Sequence, residues 1–77
     1  MEEPVPGTYY HFKHPEQHYV LLGIALHTET EERLVIYQRL SDSALFARPL
    51  AMFLEHVEKP EYGYRGPRFV LMESAQE

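Results

Sequence analysis

The stretch that decides the fold is Phe46-Ala47-Arg48-Pro49-Leu50-Ala51-Met52-Phe53-Leu54-Glu55. An arginine-proline step inside an otherwise apolar run makes the backbone leave a strand abruptly. Pro49 cannot donate to a sheet ladder, and its ring pushes Arg48 toward extended geometry. The Leu50-Ala51-Met52-Phe53 run that follows is long enough for one tight helical turn and no more. Strand, proline, one turn, strand is the corner of a small barrel.

Working outward, the chain reads as short strands separated by turns. Gly7 to Phe12 is rich in Thr and Tyr and reads as a first strand. Lys13 to Gln17, with Pro15, reads as a loop. His18 to His27 is a long strand with Arg33 to Leu40 as its hairpin partner, and the threonines of His27-Thr28-Glu29-Thr30-Glu31-Glu32 can bond the backbone of the turn between them. Ser41 to Ser43 is a turn and Ala44 to Arg48 a strand. Pro49 to Phe53 is the tight turn and Leu54 to Glu58 another strand. Pro60 to Pro67, with Gly63 and Gly66, reads as a flexible loop, and Arg68 to Met72 closes the sheet. No helical apolar period, repeat or low-complexity run is present. The expectation is an all-β domain: a small barrel of five or six short strands over residues 7–72 with one single-turn helix, flanked by disordered tails at 1–6 and 73–77.

With 77 residues the chain is one domain, which buries only about 60% of the surface its unfolded chain exposes. There is no cysteine, so disulfides and thiolate zinc sites are excluded. No signal peptide is visible at the acidic, proline-broken N-terminus, and the longest apolar run, Tyr19 to Leu26, is too short to span a bilayer. A soluble cytoplasmic protein without membrane contact is expected. The net charge is −5 and the basic residues are scattered singly, which argues against a general nucleic-acid surface.

The long hairpin poses a question about faces. With strict alternation, Tyr19, Leu21, Gly23, Ala25 and His27 share one side of their strand, and Val20, Leu22, Ile24 and Leu26 the other. Both sides are apolar. Either the strand coils at Gly23 and is covered on both sides, or the aliphatic side meets a second molecule. A homodimer through Val20, Leu22, Ile24 and Leu26, joined by Leu34 and Ile36, is the expectation.

Five separate motifs occur in order: Gly7-x-Tyr9-Tyr10-His11-Phe12-Lys13; Tyr19-x-x-Leu22-Gly23-Ile24-Ala25-x-His27-Thr28-Glu29-Thr30; Leu34-Val35-x-Tyr37; Arg48-Pro49-Leu50-x-Met52-Phe53; and Pro67-Arg68-Phe69. On these the chain resembles the bacterial domain-of-unknown-function family DUF1653 from Gly7 to Phe69. The resemblance implies an SH3-like barrel and a bacterial origin, and no activity. Two departures stand out. Phe46 occupies a position where the family usually has tryptophan, and Val20 and Leu26 occupy positions where basic residues are common. The second departure implies that this side faces outward in relatives.

Several constellations carry possible chemistry. His11, His14 and His18 have helical metal-ligand spacing, but Pro15 breaks the span, so solvated histidines are the plainer reading. Glu29, Glu31 and Glu32 lack the offsets and the glycine of a calcium loop. His27 ends a strand beside that acidic turn, with Tyr37 and Arg39 across the hairpin. A histidine, a tyrosine and a carboxylate can do acid–base chemistry, or pin a barrel end. Arg48 shares a side with Phe46: drawn inward, it needs a partner; turned outward, the two make an aromatic-cation surface. No nucleophile elbow, phosphate-cradling loop or paired-carboxylate motif occurs, and no cofactor or metal is expected.

The resulting expectation is a non-catalytic module that binds a protein or peptide, with His27, Tyr37, Arg48, Phe46, His11 and Lys13 as candidate contacts. A small enzyme or nucleotide-like ligand binder using His27, Tyr37 and Arg48 is the alternative, and nucleic-acid binding through Lys13, Arg39 and Arg48 is a third.

Overall fold

Among the described residues the chain forms seven strands: β1 (Gly7–His11), β2 (His14–Leu26), β3 (Arg33–Arg39), β4 (Leu45–Pro49), β5 (His56–Lys59), β6 (Tyr64–Pro67) and β7 (Phe69–Ser74). A single helical turn, α1 (Leu50–Phe53), lies between β4 and β5. The structure is a computed structural model and describes residues 3–74. The architecture is all-β, in two sheets rather than a closed barrel. One sheet has five antiparallel strands in the order β4-β3-β2-β1-β7, and the other pairs β5 with β6.

The turn at Pro49 forms as its chemistry demands. Pro49 caps α1 with φ −53° and ψ 139°, extended backbone that a helix cannot continue from, and the Leu54 amide closes the turn on the Leu50 carbonyl. Leu50 and Phe53 turn inward, while Met52 stays half exposed at 50%. They complete a core of Tyr9, Val35, Tyr37, Leu50, Phe53 and Phe69, against which Tyr19, Leu21, Ile24, Phe46 and Leu54 pack.

The two-sided apolarity of β2 is resolved by a β-bulge. Leu21 pairs with Tyr37, but Gly23 pairs with Ile36, which leaves Leu22 as the extra residue. One extra residue reverses the parity of everything after it. Tyr19, Leu21 and Ile24 therefore all face the core, whereas Val20 and Leu22 do not. The expectation that Val20, Leu22, Ile24 and Leu26 share a face is corrected: Ile24 pairs with buried Val35, and Leu26 follows it in parity.

Three further expectations change. Lys13 to Gln17 is not a loop: β1 and β2 join through a two-residue turn at Phe12–Lys13, and β2 already begins at His14. Pro60 to Pro67 is half structured. A 3-10 turn over Pro60–Tyr62 leads into β6, whose pairing with β5 runs from Lys59↔Tyr64 to His56↔Pro67. Proline is tolerated there because β6 is an edge of a two-stranded sheet. Phe12 anchors this sheet, stacking on Tyr64 at 4.8 Å and meeting Tyr62 edge-on at 5.8 Å. The strand count rises accordingly from five or six to seven, and β7 continues to Ser74 rather than ending at 72.

At the N-terminal side, Glu3 pairs with Arg33, and the Tyr9 hydroxyl donates to the Val5 carbonyl. Residues 1–2 and 75–77, part of the expected tails, lie outside the described residues.

Candidate functional site: an arginine on an aromatic floor

Alternation on β4 places Phe46 and Arg48 together on the inner face, with Leu45 and Ala47 turned out. Phe46 is opposite Tyr37 and stacks on it at 5.6 Å. The five-stranded sheet coils strongly enough for a side chain from the β4 edge to meet β7 at the far edge. The Arg48 guanidinium lies 5.3 Å from the centre of the Phe69 ring, and its Nε donates to the Tyr37 hydroxyl at 3.3 Å. Tyr19 closes the floor, edge-on to Tyr37, Phe46 and Phe69.

Arg48 differs from the other arginines in its partners. Arg33 pairs with Glu3, Arg39 with Asp42, Arg65 with Glu58 and Arg68 with Glu55. Arg48 has no carboxylate partner among the described residues. Its planar fork carries five donors, and the tyrosine hydroxyl takes one of them. A half-buried cation resting on aromatic rings, with one hydrogen bond from its fork among the described residues, can receive an anion.

His11 stands beside this arginine. It pairs with Phe69 across β1 and β7, meets the Phe69 ring edge-on at 5.1 Å and stacks on Phe12 at 4.9 Å. Its Nδ1 accepts the Lys13 amide at 3.1 Å, so in the neutral ring the proton sits on Nε2. Burial, then the positive charges of Arg48, Arg68 and Lys13 and the neighbouring His14, push its pKa down to about 4. Because the folded value lies below the ordinary 6.5, the unfolded chain takes up the proton first. The stability His11 contributes is thus complete above about pH 6.5 and is lost as pH falls toward 4. With the ring partly exposed, the loss is about 1–2 kcal/mol rather than the full value of the shift. Urea midpoints at pH 7 and pH 4.5 should separate further for the wild type than for His11→Phe, which keeps an aromatic ring in place. Parallel pH dependence in the two proteins would show that the histidine is not held neutral. Carboxylates such as Asp42, pulled down to about 2 by its bond to Arg39, titrate alike in both and cancel.

The remaining candidates separate. Lys13 sits on the turn after His11, with its ammonium 5.9 Å from the Tyr62 ring. His27 stands elsewhere. The register places Leu21 opposite Tyr37 and Tyr19 opposite Arg39, so His27 is six residues along β2 from the Tyr37 position. Its Nδ1 accepts the amides of Glu29 and Thr30, which makes it a pin for the hairpin turn. The combination of His27, Tyr37 and Arg48 is therefore not assembled. A cleft of about 170 Å³ lined by Glu32, Arg33, Leu50 and Ala51 includes neither His27 nor Arg48. No three His, Asp or Glu side chains stand close enough to hold a metal among the described residues, and no described helix is long and apolar enough to cross a membrane.

Sequence reasoning missed Arg68 and Phe69 as site residues. The Arg68 Nη2 donates to Glu55 at 2.7 Å, while its Nε is buried without a partner among the described residues. Pro67-Arg68-Phe69 is one of the stretches that carry the resemblance noted in the sequence, and that is the signal that could have drawn attention to it.

The comparisons agree with the fold and add no activity. The chain is similar to a crystallised protein of the DUF1653 family from Bordetella bronchiseptica, with 33% identity and a TM-score of 0.75. The match covers 94% of this chain and 91% of that one. No curated protein matches. The profile of a family of proteins of unknown function, DUF1653, matches residues 7–71, and the chain belongs to that family.

Proposed function

We propose that the domain is a non-catalytic binding module that takes an extended acidic peptide along β4, with a peptide carboxylate on Arg48. The observation that carries this reading is Arg48 itself: the arginine without a carboxylate, on an edge strand, over an aromatic floor. β4 ends the sheet order, so its outer backbone groups pair with no described strand. An added strand gains main-chain hydrogen bonds there, and its inward side chains fall next to Arg48 and Phe46. A carboxylate matches the planar fork with two parallel bonds, and the surrounding rings lower the local dielectric that would otherwise screen the pair.

The test is a peptide array of Glu- and Asp-containing sequences beside their Gln and Asn counterparts, probed with wild type and with Arg48→Lys. Retention of the acidic series, reduced about tenfold or more by the lysine that lacks the fork, is the expected result. A bound carboxylate also offsets the positive field at His11, so its pKa should rise from about 4 in an NMR titration with an acidic peptide. Equal retention of acid and amide series, or an Arg48→Lys protein that binds as well as wild type, overturns the reading. Preference for a single-stranded oligonucleotide over every peptide would also overturn it, in favour of nucleic acid.

A further inference from the structure

β4 lies at the edge of the five-stranded sheet, and the turn before it fixes the parity of its backbone. The Arg39 amide donates to the Ala44 carbonyl at 2.9 Å, which makes Arg39 and Ala44 a hydrogen-bonded pair. Such pairs recur at every second residue of an antiparallel ladder. Phe46 therefore exchanges its backbone bonds with Tyr37, and Arg48 with Val35. The N–H and C=O groups of Leu45 and Ala47 point the other way, to the side where no described strand pairs. Pro49 has the same parity but offers only its carbonyl. The ladder open to a ligand is thus Leu45 and Ala47, with an N–H and a C=O from each.

The two inward side chains of this edge differ in what they lack. Arg48 has no carboxylate partner among the described residues, and its Nε donates to the Tyr37 hydroxyl. Phe46 stacks on Tyr37 at 5.6 Å, with the Arg39 guanidinium 4.9 Å from its ring centre. Arg39 is itself held through two nitrogens by Asp42, so the Phe46 position carries no unbalanced charge. One position suits an anion and the other a ring.

Given that a peptide adds to β4 as proposed, we infer that it is selected by a short motif: an acidic residue, any residue, then an aromatic one. The motif runs in that N-to-C order, antiparallel to β4. The antiparallel sense sets its two inward side chains directly opposite Arg48 and Phe46, at the close Cα spacing of about 4.5 Å. The acid meets the terminal nitrogens of the Arg48 fork. The aromatic ring continues the stacked row of Tyr37 and Phe46 across one more strand. The residue between them bonds Ala47 through its backbone and turns its side chain outward, so its identity is unconstrained. A second copy of β4 has no acid to offer Arg48, because its own residues there are Leu45-Phe46-Ala47-Arg48-Pro49. Spacing is what the sheet enforces: moving the acid by one residue turns it to the opposite face.

Fluorescence anisotropy compares three labelled peptides of one composition on a serine background. One carries glutamate-serine-phenylalanine, one glutamate next to phenylalanine, and one phenylalanine-serine-glutamate. The first should bind about tenfold or more tighter than either isomer. Amide exchange reads the ladder without any substitution. In the free protein the amides of Leu45 and Ala47 should exchange faster than those of Phe46 and Arg48, and the first peptide should slow them. Ala47→Pro removes an N–H that β3 does not use, so it should abolish this binding while circular dichroism stays unchanged. Equal affinity for the three peptides, or preference for either other isomer, overturns the inference. So does a bound peptide that leaves Leu45 and Ala47 exchanging as before. Slowing of those amides with protein concentration alone overturns it in favour of a second copy on the edge. Binding by none of the three overturns it as well, and the peptide array separates the two failures: acidic peptides retained there keep the peptide site and lose only the motif.

Discussion

Phe53→Ala should destabilise the domain by about 3–5 kcal/mol, and Met52→Ala by no more than about 0.5 kcal/mol. The two residues are neighbours on one helical turn, alike in bulk, and differ in what they touch. Phe53 is 3% exposed. It stacks on Phe69 at 4.4 Å with the rings nearly parallel, meets Tyr9 edge-on at 5.3 Å and lies 5.7 Å from Tyr37. Truncation therefore removes the central ring of an aromatic cluster whose other members hang from β1, β3 and β7, strands fixed by their ladders and unable to collapse into the space. Both the lost transfer energy and the residual cavity then count against folding. A domain of this size has about 4–12 kcal/mol in total, so the variant would be unfolded in part even without denaturant. A urea midpoint for Phe53→Ala close to that of Met52→Ala would show that α1 does not anchor the core.

This contrast was half legible in the sequence. Pro49 and the short apolar run after it announce a single turn, because proline chemistry is local and needs no knowledge of the rest of the chain. Whether Met52 or Phe53 points inward depends on where the sheet lies relative to the turn, and no local rule supplies that. Alternation put Phe46 and Arg48 on one side of β4, and Val35 and Tyr37 on one side of β3, but it left open whether the Phe46–Arg48 side faces in; the pairing of Phe46 with buried Tyr37 decides that. The floor of the candidate site was present in the sequence to that extent. Three things were not. The bulge at Leu22 leaves no trace in composition, since a period of two reads the same until the pairing partner reveals the slipped register. β6 was hidden by its own residues, because Gly63, Gly66 and Pro67 signal a loop, and only the packing of Tyr64 on Phe12 makes the segment extended. The approach of Arg48 to His11 and Phe69 depends on the coiling of the whole sheet, a property of no single strand. Conversely, His27 looked like a site residue because sequence distance to Tyr37 and Arg39 was taken without the register that separates them.

A second large effect is expected at Gly7, and its opposite at Gly23. Gly23 looked like the residue that lets β2 bend, but the bend belongs to the bulged Leu22. A Cβ added at Gly23 meets nothing within 4 Å, and its φ is not in the left-handed range. Gly23→Ala should be neutral or stabilising by up to about 1 kcal/mol, through the reduced entropy of the unfolded chain. Gly7 is the constrained one. Its φ is +155°, and a Cβ there would lie 2.3 Å from the Glu73 carbonyl oxygen and 3.1 Å from the Ser74 Cα. Both obstacles are backbone, held by the pairing of Gly7 with Ser74 and of Thr8 with Glu73. No rotamer change relieves the clash: either Gly7 moves to a φ that misaligns β1, or the end of β7 peels away. Gly7→Ala should cost about 2–4 kcal/mol, the sum of backbone strain and lost ladder bonds. The urea midpoint should fall accordingly, and the amide of Thr8 should exchange faster relative to those of β3. The opposite ranking, with Gly23→Ala the damaging substitution and Gly7→Ala tolerated, would mean that the bend in β2 rests on Gly23 after all and that the first and last strands do not meet as closely as the Gly7–Ser74 pairing requires.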